Sequence, residues 1–185
     1  DCLLSRGLGD VYKRQLVDGA WSGYGTPIGS HYTPNDPGFK DLTGHLAYNP
    51  DAAKNLLAEA GYGNGLSISI KVPQMPYAVR SAEILQAFLA EIGVSLEIVP
   101  TEFPAAWVSD VLQNHDFDMT IVAHAEPMDI DIFARPDYYF GYANPAFNDV
   151  ISRAEAAGDS AVRDSLYGDC LLYTSPSPRD KRQYR

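Results

Sequence analysis

The chain has 185 residues, of which 14 are basic and 24 are acidic, so its formal net charge at pH 7 is −10. A chain this acidic repels phosphate backbones, which argues against nucleic acid and anionic membranes as partners. The length is sufficient for one domain with a sizeable hydrophobic core, and no apolar run approaches the roughly 18 residues of a membrane span.

The two ends of the chain read differently from its middle. Residues 5–15 are SRGLGDVYKRQ and residues 170–180 are CLLYTSPSPRD. One DNA stretch can encode both, the second on the opposite strand with the frame shifted by one nucleotide, and this DNA resembles a transposase-type sequencing adapter. We therefore predict that residues 1–15 and 170–185 are translated adapter sequence and that residues 16–169 are native. Both cysteines, Cys2 and Cys170, lie in these ends, so no disulfide is predicted.

Local signals predict alternating helices and strands along residues 16–169. Asn49 can cap a helix that begins at Pro50, and Gly61 can end it. Residues 66–72, LSISIKV, alternate apolar and polar side chains, as in a strand with one buried face. In chain order we predict the end of a helix at Leu16–Trp21, a loop at Ser22–Tyr48, helices at Pro50–Ala60, Tyr77–Ile92, Pro104–Asn114, Pro145–Ala156 (capped by Asn144) and Val162–Tyr167, and strands at Leu66–Val72, Val94–Val99 and Phe117–Ala123. This strand–helix–strand–helix–strand core predicts an α/β fold with a parallel sheet covered by helices.

Two strand ends carry the residues expected to bind a ligand, because ligands of open α/β sheets bind beyond the carboxyl ends of the parallel strands. Met75 and Tyr77 follow the first strand and are expected to form apolar walls. After the third strand, Ala123–Tyr142 sets acidic groups among aromatic rings, a combination suited to a cationic or amine-bearing ligand. The candidates in this stretch are His124, Glu126, Asp129, Asp131, Tyr138 and Tyr139, with Asp137, Phe140 and Tyr142 nearby in sequence. The alternative is a solvated acidic loop beside aromatic residues of the core.

Motifs for catalysis and for cofactors are missing from the sequence. It contains no G-x-S-x-G elbow, no phosphate-binding loop and no G-x-G-x-x-G. The four histidines are scattered without the spacing of a metal site, so no metal or cofactor is predicted. One enzymatic alternative is a small α/β hydrolase or transferase that uses His124 with Asp129 or Asp131, although two carboxylates two residues apart are weak evidence for it. Another alternative is an accessory interaction domain with no ligand of its own.

Five segments in order resemble family 5 of the ABC-transporter extracytoplasmic solute-binding proteins, the peptide and nickel binders. They are DGAW with the Pro-rich loop that follows it, YNPDAAKNLLAEAGY, SAEILQAFLAEIGVSLEIVPTEF, WVSDVLQNHDFDMTIVAH and YANPAFNDVISRA. The resemblance implies that residues 16–169 form most of one lobe of a two-lobed periplasmic-binding-protein type II fold, the Venus-flytrap fold. The opposite lobe is expected to lie outside this chain.

The same resemblance implies a protein that performs no chemistry. Members of the family capture peptides or similar amine-containing solutes outside the cytoplasmic membrane and deliver them to an ABC permease. In peptide-binding members an acidic residue shortly after the third strand pairs with the amino terminus of the ligand, a role that Glu126 or Asp129 would take here. The chain departs from the family where Ala123 and His124 replace the usual Gly-Trp and the following spacing is shorter. Because one lobe cannot close around a ligand, weak binding at best is expected.

Overall fold

The computed structural model describes residues 10–45, 48–123 and 129–174. The helices in these ranges are α1 Asp10–Trp21, α2 Pro50–Glu59, α3 Pro76–Glu91, α4 Ala105–Trp107, α5 Pro145–Ala156 and α6 Ser160–Thr174, and the strands are β1 Leu66–Pro73, β2 Val94–Thr101 and β3 Met119–Thr120. A π-helix, Val108–Gln113, continues α4, and two 3₁₀ helices lie at Thr43–His45 and Ile130–Ala134. Among the described residues, no helix is both long and apolar enough to cross a membrane.

The described residues divide into two compact units. Unit 1 contains residues 10–27 and 48–123, which carry α1 to α4, the π-helix and all three strands. Unit 2 contains residues 28–45 and 129–174, which carry the two 3₁₀ helices, α5 and α6. Each unit is therefore assembled from two separate stretches of the chain.

Unit 1 is built on a parallel sheet with the strand order β2–β1–β3. β1 pairs with β2 from Leu66 opposite Val94 to Pro73 opposite Thr101, and it pairs with β3 over two residues that begin at Ile70. Parallel neighbours require a crossover connection, and α3 lies in the one between β1 and β2. The predicted strand–helix–strand–helix–strand core and its parallel sheet are confirmed.

The hydrophobic core of unit 1 is shared by β1, β2, α2 and α3. Ile70 and Val72 of β1 are fully buried, and so is Leu89 of α3. Ala53 and Leu57 of α2 belong to the same cluster of buried side chains. The apolar stripe of each helix and the apolar face of the strand therefore meet in one core, as the helical and alternating patterns of the sequence require.

The predicted amino-terminal ends of α2 and α5 are confirmed. The Asn49 side chain accepts a hydrogen bond from the N–H of Ala52 at 2.9 Å, and Asn144 caps α5 in the same manner. Gly61 follows α2 with a φ of 91°, a left-handed conformation that glycine adopts without strain. Signals contained within a single helical turn are thus sufficient to place these ends.

The third strand is much shorter than predicted, because β3 has two residues where the sequence predicted Phe117–Ala123. Its start is explained by the carboxylate of Asp118, which accepts hydrogen bonds from the backbone N–H and the hydroxyl of Ser69 at 2.8 and 2.9 Å. At the last pair of the ladder, the Thr120 hydroxyl donates to the carbonyl of Lys71 at 2.8 Å. Side chains therefore replace part of the backbone pairing that a longer strand would make.

The predicted helix Pro104–Asn114 is helical but not a regular α-helix. α4 begins at Ala105, and the backbone becomes π-helical from Val108. On this segment Asp110 forms an ion pair with Lys71 of β1, with 3.0 Å between the carboxylate oxygen and Nζ. Hydrophobic spacing predicts a helix but does not distinguish the wider π turn from the α turn.

Unit 2 packs α5 and α6 around an aromatic core. Phe147 of α5, Leu171 of α6 and Tyr32 of the stretch 28–45 are each at most 1% exposed, and they belong to one cluster. Tyr32 lies far from the two helices in sequence, so this core depends on contacts between the two stretches of the unit.

The last helix is longer than predicted at both ends. The sequence predicted Val162–Tyr167, whereas α6 is Ser160–Thr174. It runs past the predicted limit of the native sequence at residue 169 and buries the side chain of Cys170. This burial raises the pKa of the Cys170 thiol to about 11. The adapter origin of residues 170–185 stays a prediction.

Candidate ligand-binding site

Two of the predicted ligand residues, Met75 and Tyr77, lie in unit 1 just after the carboxyl end of β1. Met75 is half-buried and immediately precedes α3. The Tyr77 hydroxyl accepts a hydrogen bond from the N–H of Ala123 at 3.0 Å, which ties the chain after β3 to the start of α3. The Tyr77 ring packs on Trp21 with 5.3 Å between ring centroids. Trp21 is 45% exposed, so it extends the apolar wall that the sequence predicted from Met75 and Tyr77 alone.

Two of the predicted ligand residues, His124 and Glu126, lie outside the described residues. Their part in ligand binding stays a prediction.

In unit 2, Asp129 contacts a histidine that the sequence analysis did not connect with it. Oδ1 of Asp129 lies 2.6 Å from Nε2 of His31, and their side chains are 12% and 23% exposed. The His31 ring also makes an edge contact with Phe133, with centroids 5.4 Å apart. The two bonded residues are 98 positions apart, and no motif joins them. Only the fold brings this pair together.

Among the described residues, one oxygen of the Asp129 carboxylate has a hydrogen-bond partner and the other has none. Oδ2 is buried and has no hydrogen-bond partner among the residues that the structure describes. The hydroxyl of Tyr32 is likewise buried without a hydrogen-bond partner among these residues. Burial, with a smaller contribution from Tyr167, raises the pKa of Tyr32 well above its usual value. An unsatisfied buried polar atom costs on the order of 1–3 kcal/mol, so most of them have partners. The interior of unit 2 therefore holds an incompletely satisfied carboxylate against the His31 ring.

Asp131 takes a different position from Asp129. Its Oδ2 accepts hydrogen bonds from Nε and Nη2 of Arg135 at 3.1 and 2.9 Å, in an exposed pair one helical turn apart. This hydrogen bonding is the main reason why the pKa of Arg135 is raised. The Arg135 guanidinium also lies 5.9 Å from the centroid of the Tyr138 ring. Asp131 thus belongs to a surface ion pair, whereas Asp129 belongs to the interior.

Tyr138 and Tyr139 lie in a cluster of aromatic rings with Phe140. The centroids of Tyr138 and Tyr139 are 4.9 Å apart, and each lies within 5 Å of that of Phe140. Phe140 in turn packs on Phe133 at 4.8 Å, which links this cluster to the ring that contacts His31. Tyr139 is buried and Tyr138 is half-buried. The structure therefore joins the predicted aromatic residues to the His31–Asp129 pair through two phenylalanines.

Among the described residues, no group of three or more His, Cys, Asp or Glu side chains is placed to hold a metal ion. The hydrolase alternative requires His124, which lies outside the described residues, and of its two candidate acids Asp129 bonds to His31 and Asp131 bonds to Arg135.

The fold is shared with solved binding proteins. A putative peptide-binding protein AppA from Clostridium difficile is similar with a TM-score of 0.80 and 19% sequence identity, over 94% of this chain and 37% of that one. This likeness, with the parallel sheet and its helices, shows that the chain has part of a type II periplasmic-binding-protein fold. The model of the "Bacterial extracellular solute-binding proteins, family 5 Middle" matches residues 13–145, and the chain belongs to this family.

Two curated relatives show how much of such a protein the chain spans. The dipeptide-binding protein of Escherichia coli (strain K12) is 27% identical over an alignment of 177 residues that covers 85% of this chain and 32% of that protein. Heme-binding protein A of Haemophilus influenzae is 32% identical over 98 residues, which are 50% of this chain and 18% of that protein. The chain therefore spans about a third or less of the length of these relatives. The family consists of non-enzymatic binders, which confirms the predicted family and its class.

Proposed function

We propose that the full-length parent of this chain captures peptides or similar amine-containing solutes outside the cytoplasmic membrane and passes them to an ABC permease. The observation that carries this proposal is the family match over residues 13–145. It is supported by the dipeptide-binding relative, which aligns along 85% of the chain. Capture would follow from closure of two lobes around the solute, with this chain supplying part of one lobe. The excess of acidic residues argues against nucleic acid as a partner.

The residues proposed to contact the ligand are those predicted from the sequence. Met75 and Tyr77 of unit 1 would provide apolar surface, as would Tyr138 and Tyr139 of unit 2. A negative charge would attract the amine of the ligand. The acidic candidates are Glu126, Asp129 and Asp131, with His124 beside them in sequence. Asp129 is favoured over Asp131 because its side chain is the more buried of the two, at 12% against 41% exposed, and because Asp131 is paired with Arg135.

Mass spectrometry of the small molecules released from the purified full-length parent would test the function. We expect short peptides or other primary amines. Because one curated relative is named for heme, the same preparation should be scanned for a Soret absorbance band. A tightly bound haem or metal complex in place of peptide would contradict the proposed ligand class.

Isothermal titration calorimetry on this chain would test the role of the missing lobe. We expect no micromolar binding of a peptide, because a single partial lobe cannot enclose the ligand and exclude water from it. Micromolar binding of a dipeptide to these 185 residues would contradict that expectation.

We also propose that residues 1–15 and 170–185 are translated adapter sequence and are not native to the parent. The matching codons of the two ends support this. Sequencing the gene in its source DNA should give a reading frame that lacks both stretches, with an export signal upstream and a second lobe downstream. A frame that retains either stretch would refute the adapter origin.

A further inference from the structure

The hydrogen bond between Asp129 and His31 is not the one that the position of Asp129 favours. Asp129 is the N-cap of the 3₁₀ helix Ile130–Ala134, a position where an aspartate usually accepts a bond from its own helix. Here the side chain makes no such bond and reaches His31 of the distant stretch 28–45 instead. Asp129 therefore does not stabilise the start of its own helix, and its carboxylate instead holds the His31 ring in place.

The two side chains of the pair differ in burial and in their roles in the hydrogen bond. Asp129 is the more enclosed of the two, at 12% exposure, and His31 retains 23% exposure. A buried carboxylate accepts a hydrogen bond from the protonated nitrogen of a neutral imidazole and so selects its tautomer. With Nε2 donating to Asp129, the lone pair of the imidazole resides on Nδ1. Within the described residues, His31 makes no further hydrogen bond.

We propose that His31 is a ligand-contacting residue whose Nδ1 accepts a hydrogen bond from an N–H of an amine or amide ligand, and that Asp129 is the positioning residue that orients it. This rests on the proposed function, and it assigns Asp129 an indirect role in place of direct pairing with the ligand. The edge contact of Phe133 holds the ring plane, and Asp129 holds the tautomer. Metal-binding and catalytic histidines are commonly oriented in the same way, by a carboxylate that bonds to the other ring nitrogen.

Two substitutions at position 31 distinguish a histidine that contacts the ligand from one that only stabilises the fold through its bond to Asp129. His31→Gln places an amide N–H near the position of Nε2, so it keeps a donor for Asp129 but has no acceptor where Nδ1 lies. His31→Asn does the reverse, with a carbonyl oxygen near Nδ1 and no reach to Asp129. Asp149→Asn is the matched control, because it alters an exposed acid of the same unit that is paired with Arg153 and is not a candidate ligand residue.

The first measurement is the tautomer of His31 in the free 185-residue chain, from long-range ¹H–¹⁵N NMR at a pH where the ring is neutral. We expect the proton on Nε2 in the unaltered chain and in Asp149→Asn, and a mixture of tautomers in Asp129→Leu. A proton on Nδ1 in the unaltered chain would overturn the proposal.

The second measurement is an NMR titration with alanyl-alanine up to its solubility limit. We expect a shift of the His31 Nδ1 resonance with weak affinity, and His31→Gln should weaken binding about tenfold, as expected for one lost hydrogen bond to a charged donor. His31→Asn should retain more of the affinity than His31→Gln. Full affinity in His31→Gln would show a structural bond only and overturn the proposal. Shifts elsewhere without a shift at His31 would overturn it while leaving the proposed function intact. No shift at any residue would overturn the role of His31, while the function of the full-length parent would be decided separately by the mass spectrometry of its released ligand.

Discussion

Truncation of Leu89 should remove a large part of the stability of unit 1. Leu89 is fully buried in the cluster shared by the sheet, α2 and α3. Leu89→Ala deletes three buried carbon atoms, a loss of about 2.4 kcal/mol at ~0.8 kcal/mol for each. The cavity left behind raises the destabilisation to about 3–4 kcal/mol, within the range known for buried leucines. With a urea m-value of about 2 kcal/mol/M, the midpoint of unfolding should fall by about 1.5–2 M.

Tryptophan fluorescence is the suitable assay, because both tryptophans of the chain, Trp21 and Trp107, lie in unit 1. Trp107 is 3% exposed, so its emission will shift to longer wavelength when the core opens. Leu112→Ala is the matched control: it removes the same atoms from a side chain that is 38% exposed, and it should cost less than about 1 kcal/mol. Equal midpoint shifts for the two variants would refute the packing described for Leu89.

Three further predictions concern a cap, a carboxylate and a glycine. Asn144→Ala should destabilise unit 2 by about 1 kcal/mol and speed hydrogen exchange in the first turn of α5, since Asn144 Oδ1 accepts two backbone bonds there; unchanged exchange would contradict the cap. The pKa of Asp118 is lowered by hydrogen bonds from β1, so its stabilisation is complete above the unfolded value of about 3.9 and is lost as pH falls through the lower folded value. Urea titrations between neutral and strongly acidic pH should therefore show a shallower pH dependence in Asp118→Asn, and an identical slope would count against this bond. Gly38→Ala should lower the melting temperature followed by near-ultraviolet circular dichroism, because φ is 79° and an added Cβ would lie 2.3 Å from the carbonyl oxygen of Asp164; Gly44→Ala, with open space around the new Cβ, should have little effect, and a similar loss in both would argue against the clash.

The elements that the sequence predicted well are those determined by neighbouring residues. Asn49 with Pro50, and Asn144 with Pro145, carry their own capping signals, and both helices begin at the predicted proline. The length of β3 depends instead on Asp118, whose carboxylate bonds to a strand 49 positions away. The spacing of apolar residues does not show that a side-chain carboxylate will accept a backbone N–H of the neighbouring strand. The predicted strand was therefore too long.

The candidate site likewise contains residues that the local sequence pattern places and residues that only tertiary contacts bring together. The positions of Met75 and Tyr77 at a strand end follow from the alternation of strands and helices, a property of the local pattern. The pairing of Asp129 with His31 depends on how the stretch 28–45 folds onto residues 129–174, and the loop that contains His31 has no periodic pattern from which this could be derived. The two acids separated by one residue, Asp129 and Asp131, look alike in sequence, and only burial distinguishes them.

The division of each unit into two stretches has a consequence for biosynthesis. Tyr32 and Leu42 are buried against residues that follow the whole of 48–123 in the chain. At translation rates of roughly 5–20 residues per second, these packing partners are synthesised several seconds after Tyr32 and Leu42. The contacts of β1, α3 and β2, by contrast, close within one continuous stretch and are favoured kinetically. We expect unit 1 to fold first on the ribosome, with the stretch 28–45 open to chaperones and proteases in the interval. Limited proteolysis of ribosome-stalled chains should cleave this stretch until α6 has emerged, and early protection would show that it finds its place without α5 and α6.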